Sequence, residues 1–123
     1  MKVIIAGGRD IEDYDLLCQV VRDSGLNILT VISGTARGVD RMGERWASQQ
    51  GIPCERYPAN WDKFGKAAGP IRNIEMSKVG DALIAIRKDG SRGTAHMIET
   101  MTKLGKPVFV HWIGKGSYKV NYD

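Results

Sequence analysis

The chain has 123 residues, 42% hydrophobic and 26% charged, with a formal net charge of +4. That is enough for one hydrophobic core without disulfide or metal staples, and the ordinary composition argues against disorder. No apolar run approaches the length of a membrane span, and the opening MKVIIAGG turns polar at Arg9 and Asp10 before a signal segment could complete, so a cytoplasmic protein without a membrane partner is expected.

Lys2 to Ala6 is a short β-branched run closed by Gly7-Gly8, which fits a buried parallel strand. Asp10 offers an N-cap to a first helix whose apolar positions Leu16, Leu17, Val20 and Val21 follow helical spacing until Ser24-Gly25. Leu29 to Ser33 reads as the second strand. The helix after it carries Val39, Met42, Gly43, Trp46 and Ala47 on one apolar face. Pro53 to Tyr57 is a third strand, placed at a sheet edge because Pro53 has no amide hydrogen to give.

Pro58 to Gly69 is the longest predicted loop, and loops of that length in compact domains are often functional. Pro70 opens a third helix with Ile71, Ile74 and Val79 near helical spacing. Asp81 to Ile86 is a fourth strand, followed by a fourth helix with Met97, Ile98, Met101 and Leu104 inward and a fifth strand over Val108 to Trp112. Residues 1–113 form one domain in this reading and 114–123 a polar, aromatic C-terminal extension.

Strand and helix alternate throughout, which predicts an α/β, three-layer Rossmann-like fold: a five-stranded parallel sheet of order 3-2-1-4-5 with helices on both faces. Ligands of such sheets bind beyond the carboxyl ends of the strands where the winding reverses, here between strands one and four. Cys18 and Cys54 lack the spacing of a zinc knuckle or redox pair and read as buried free thiols. His96 and His111 have no close acidic or cysteine partner, so no metal site is expected and each reads as structural.

Four glycine-rich turns gather at that edge. In SGTARGVD, Ser33 and Thr35 bring hydroxyls, Gly34, Ala36 and Gly38 backbone amides, Arg37 a guanidinium, and Asp40 a carboxylate able to accept from a ribose hydroxyl. The plainer alternative leaves Thr35 and Asp40 as helix caps and Arg37 in solvent. In GGRD, Gly7 and Gly8 allow close backbone approach and Arg9 pairs with phosphate or carboxylate, or the glycines merely make a tight turn. AGPIRN puts Arg72 and Asn73 in a first helical turn, and GSRGT does the same for Ser91, Arg92, Gly93 and Thr94, where amides face any anion unless Thr94 only caps. Trp61 stacks on a base or fills the sheet edge as a lid. No stretch fits GxGxxG or GxxxxGK[ST], which disfavours a standard dehydrogenase or P-loop NTPase.

GGRD, SGTARGVD, WDKFGKAAGPIRNIEM and GSRGTAHMI, in this order, resemble the YspA-related branch of the SLOG superfamily. The superfamily includes the LOG phosphoribohydrolases and the DNA-processing protein DprA. The resemblance implies a Rossmann-like nucleotide-binding domain, with members proposed as sensors or processors in bacterial and phage conflict, and it is compatible with a phage origin. LOG relatives are often dimers, so it also implies a homodimer.

Gly93 and Thr94 match the GT pair of the LOG segment PGGxGTxxE, and Arg72 and Met76 resemble the RKxxM portion that LOG enzymes carry one helix earlier. Two positions depart from it. Gly90-Ser91-Arg92 replace the proline and glycines before GT, and Met97 stands at the glutamate position. Glu99 lies two residues on, turned about 200° around the helix. Glycosidic hydrolysis at a ribose needs a carboxylate near the reacting carbon.

The expectation is therefore a small-molecule ligand, an adenine nucleotide or an ADP-ribose-like compound, bound by a sensor or sequestering protein that requires no cofactor. The alternatives are a LOG-related nucleosidase or phosphoribosyl hydrolase using Asp10 or Asp40, and a DprA-like binder of single-stranded DNA.

Overall fold

The structure, a computed structural model, describes residues 1–123. Its strands are β1 (Lys2–Gly7), β2 (Thr30–Ser33), β3 (Cys54–Arg56), β4 (Ala82–Arg87), β5 (Val108–Trp112) and β6 (Gly116–Val120). They form one sheet of order β3-β2-β1-β4-β5-β6, in which every pairing is parallel except the antiparallel β5–β6 pair. The expected order of the first five strands holds, with β3 at an edge. The sheet has a sixth strand, however, where the sequence predicts only an extension. Residues after Trp112 turn back and pair Val120 with Val108. The end is tied down by Asn121 Nδ2, which donates to the carbonyls of Thr102 and Lys106 at 3.1 and 3.2 Å, and by Tyr122, whose hydroxyl donates to Ser24 O at 2.8 Å.

Helices α1 (Tyr14–Ser24) and α2 (Val39–Gln50) cover one face of the sheet. The short α3 (Trp61–Phe64) and a 3₁₀ turn (Gly65–Ala67) lead into α4 (Ala68–Val79), which with α5 (Arg92–Lys103) covers the other. The period of two in the strands decides which residue joins which core. Val3, Ile5, Ile84 and Ile86 pack under α1 and α2 with Leu17, Val20 and Val39, while Ile4, Leu83 and Ala85 meet Met76, Met97 and Met101. Both faces are buried because β1 and β4 are apolar on both, and burial of each isoleucine is worth about 1.5–3 kcal/mol.

Several local expectations are corrected. The first helix is capped by Asp13, whose carboxylate accepts from Leu16 N at 3.1 Å, so Asp10 lies three residues upstream of the cap. The Pro58–Gly69 segment is not all loop: Asn60 caps α3 by accepting from Lys63 N at 3.1 Å. On α4 the inward residues are Ala68, Asn73, Met76 and Ser77, while Ile74 and Val79 are exposed. Leu104 is exposed as well, and both cysteines are free but only half-buried. No helix is long and apolar enough to cross a membrane.

Candidate functional site

The carboxyl ends of β1, β2 and β4 open into turns that face the first turns of α4 and α5. Gly38 shows why the first two turns interlock. It has φ +77° and ψ −126°, which side-chain-bearing residues rarely adopt, and a Cβ there would run into Gly8 O and come within 2.7 Å of the Arg9 carbonyl. The same carbonyl of Gly8 accepts from Ile11 N at 3.4 Å and Val39 N at 3.3 Å. Gly8 and Gly38 thus build the frame and do not line the cavity.

Gly34 is small for a different reason. A Cβ on it would stand 2.8 Å from both Arg72 Nη1 and Asp40 Oδ2. Arg72 reaches across from α4 and donates through Nη1 to the Gly34 carbonyl, and through Nε to Asn73 Oδ1 at 3.0 Å. The buried Asn73 continues the chain, its Nδ2 donating to Gly93 O at 3.3 Å and lying 3.2 Å from His96 Nδ1. One run of polar contacts therefore joins the β2 turn, α4 and the start of α5.

Between these walls lies a cavity of about 280 Å³, lined by Ala6, Gly7, Arg9, Ala36, Asp40, Arg72, Asn73, Met76, Ser91, Arg92, Gly93, Thr94 and Met97. Two outer lobes adjoin it, and Arg9 and Arg72 border all three spaces. One lobe, of about 370 Å³, lies among Gly34, Thr35, Arg37, Pro58, Ala59 and Trp61. The other, about 360 Å³, runs from Trp61 and Pro70 to Arg92, Gly93 and His96. Arg9 sits 5.8 Å from the ring centroid of Trp61, which is 49% exposed at the rim.

Three guanidinium groups, Arg9, Arg72 and Arg92, therefore meet one carboxylate, Asp40, at the inner cavity. Burial pushes Asp40 up to about 6, with the bond from the Ala36 amide and the Arg72 charge only partly offsetting it. Burial also draws Arg72 below the ordinary arginine value, against the pull of Asp40 and with a push from Arg9. Ala36 N donates to Asp40 Oδ2 at 3.2 Å, so this carboxylate also holds the β2 turn. At the head of α5, Ser91 donates its hydroxyl to Thr94 Oγ1 at 2.9 Å and makes no cap bond, which leaves the Gly93 and Thr94 amides without an acceptor in the protein.

Not every sequence candidate is gathered here. Asp10 lines none of the three spaces and is paired with Lys88 at 2.7 Å, which holds its carboxyl below the ordinary value. Ser33 lies beneath the turn, its hydroxyl donating to Glu44 Oε2 at 2.7 Å and accepting from Thr35 N at 3.0 Å. Thr35, with φ +66°, and Arg37 line only the lobe beside Trp61. His96, which lines the lobe running from Trp61 and Pro70, was missed. It follows Gly93 at i+3 on α5, a spacing that puts it on the same helix face as a recognised site residue. Met97 forms part of the cavity floor where LOG enzymes carry glutamate, and Glu99 pairs with Lys103 at 2.8 Å, away from the cavity.

A Rossmann-like α/β sheet with a basic cavity at its winding reversal defines the class. Within that class, residues 1–64 match the YspA, cpYpsA-related SLOG family, and the chain belongs to it. It is 37% identical over 117 residues to the gene 61 protein of Mycobacterium phage D29, covering 87% of this chain and 93% of that one. Its fold is similar to DNA processing protein A (DprA) of Streptococcus pneumoniae, with a TM-score of 0.73 at 19% identity over 89% of this chain. The match spans 49% of the DprA chain.

Proposed function

We propose that this domain binds a phosphorylated nucleotide, an adenine nucleotide or an ADP-ribose-like derivative, at the carboxyl edge of the sheet, and acts as a sensor or sequestering protein. The observation that carries the reading is the charge balance of the cavity: Arg9, Arg72 and Arg92 converge with the free first-turn amides of α5 against the single carboxylate of Asp40. Guanidinium forks and helix-start amides suit phosphate oxygens. The exposed face of Trp61 at the rim offers a base its stacking surface. Membership of the SLOG family supports a nucleotide.

A hydrolase is supported less well, since Met97 and the displaced Glu99 leave Asp40 as the sole acid at the cavity. Single-stranded DNA is the second reading. It draws on the exposed Trp61 and Phe64, which share one short segment with Lys63 and Lys66, and on the fold likeness to DprA.

A thermal-shift screen with ADP, ADP-ribose, cyclic dinucleotides and adenosine tests the proposal. Phosphorylated ligands raise the melting temperature and adenosine does not. Equal responses to adenosine and ADP, or no response to any nucleotide, count against it. Tight DNA binding that falls steeply with salt and persists in saturating nucleotide makes the second reading the better one.

A further inference from the structure

His96 reads from the sequence as a structural histidine, yet it lines the outer lobe that Trp61 also lines. Its hydrogen-bonding state is dictated by its neighbours. Arg72 Nε has only a proton to give, so the Asn73 atom it meets at 3.0 Å is the carbonyl oxygen. Gly93 O can only accept, so the Asn73 atom 3.3 Å away is the amide nitrogen. That nitrogen also faces His96 Nδ1 at 3.2 Å, so Nδ1 accepts. A neutral imidazole with Nδ1 accepting carries its proton on Nε2. No protein group bonds to Nε2.

The lobe beside His96 is lined by Trp61, Gly69 and Pro70 as well as by arginines. Trp61 lies along one wall, close enough to α4 that a Cβ on Gly69 would touch its Cη2 at 3.5 Å, and Pro70 continues that wall. Arg9, Arg72 and Arg92 stand at the inner end. A nucleotide with its phosphates on the arginines has this lobe available for its base.

We infer that His96, held by Asn73 as the Nε2–H tautomer, is a specificity-determining donor that bonds a ring-nitrogen acceptor of a purine seated against Trp61. The inference rests on the proposed nucleotide reading. It assigns His96 a contact with ligand and makes Asn73 a positioning residue for it, and it explains why a buried asparagine occupies the inward face of α4.

The test measures ADP binding by calorimetry to the unaltered chain, His96→Gln and His96→Asn, with unfolding midpoints compared first. Glutamine extends its amide toward the Nε2 position and keeps a donor there. Asparagine reaches only the Nδ1 position, where its oxygen still accepts from Asn73. His96→Asn therefore weakens ADP about tenfold, and His96→Gln stays within about threefold. A purely structural histidine gives the reverse order. Equal losses, no losses, or a larger loss in His96→Gln overturn the inference.

The 1-, 3- and 7-deaza analogues of ADP provide a second arm that needs no variant to fold. One of them binds the unaltered chain about tenfold more weakly than ADP, and that gap closes in His96→Asn. Equal binding of all three with ADP removes the acceptor, and with it the inference, while leaving the nucleotide reading intact. Failure of ADP itself to bind ends both.

Discussion

Exchanging Asp40 for asparagine removes a buried charge from the cavity wall while keeping its shape. Asp40 is 5% exposed, and burial raises its carboxyl from the ordinary 3.8 to about 6. The folded chain therefore holds this proton more tightly than the unfolded chain. The stabilising contribution is complete below the unfolded value and is lost as pH rises through the folded one. Over that interval the loss amounts to about 3 kcal/mol, a large share of the stability of a small domain.

Urea denaturation of the chain and of Asp40→Asn, from about pH 3.5 to about pH 7.5, isolates the effect because other titrations largely cancel in the difference. The stability of the unaltered chain relative to the variant falls by about 3 kcal/mol as pH rises. A difference that stays constant, or one that grows in favour of Asp40 with rising pH, refutes the reasoning. Ligand binding carries the same signature: an anion placed beside Asp40 raises its proton affinity, so ADP binding takes up protons near pH 6. Calorimetry in buffers of different ionisation heat reads that uptake.

Three further outcomes follow from the geometry. Arg72→Gln removes a guanidinium that borders all three spaces and weakens ADP about 10- to 100-fold in a calorimetric titration, while Asp10→Asn, at a residue paired with Lys88 and lining none of them, changes it less than about twofold. Gly38→Ala forces a side chain into a φ of +77° against the Gly8 and Arg9 backbone and costs about 3 kcal/mol or more by urea midpoint. Ile84→Ala, at a residue with no exposure in the central strand, costs about 2–5 kcal/mol, whereas Leu104→Glu at an exposed helix end stays within about 0.5 kcal/mol.

The inner strands were legible because β1 and β4 are buried on both faces and so read as unbroken apolar runs. β6 was not, since GSYKV is an outermost strand with little to bury, and its pairing is set by β5 and by Asn121 and Tyr122. The apolar spacing of Ile71, Ile74 and Val79 misdirects the face of α4, because Asn73, the middle of the polar chain Arg72–Asn73–His96, and Ser77 share its inward side with Ala68 and Met76. The same chain explains what sequence could not give of the site. Glycine-rich turns announced the cavity wall, but the frame roles of Gly8, Gly38 and Ser33 and the diversion of Asp10 to Lys88 depend on contacts between distant segments.

The central claim is that three arginines and the start of α5 hold the phosphates of a nucleotide. Calorimetric titration of the unaltered chain with ADP-ribose, ADP and adenosine at one salt concentration tests it most directly. The diphosphates bind, and adenosine binds about 100-fold more weakly or not at all, because two or more charge-assisted bonds are lost with the phosphates. Adenosine binding as tightly as ADP, or no heat from either diphosphate, contradicts the account.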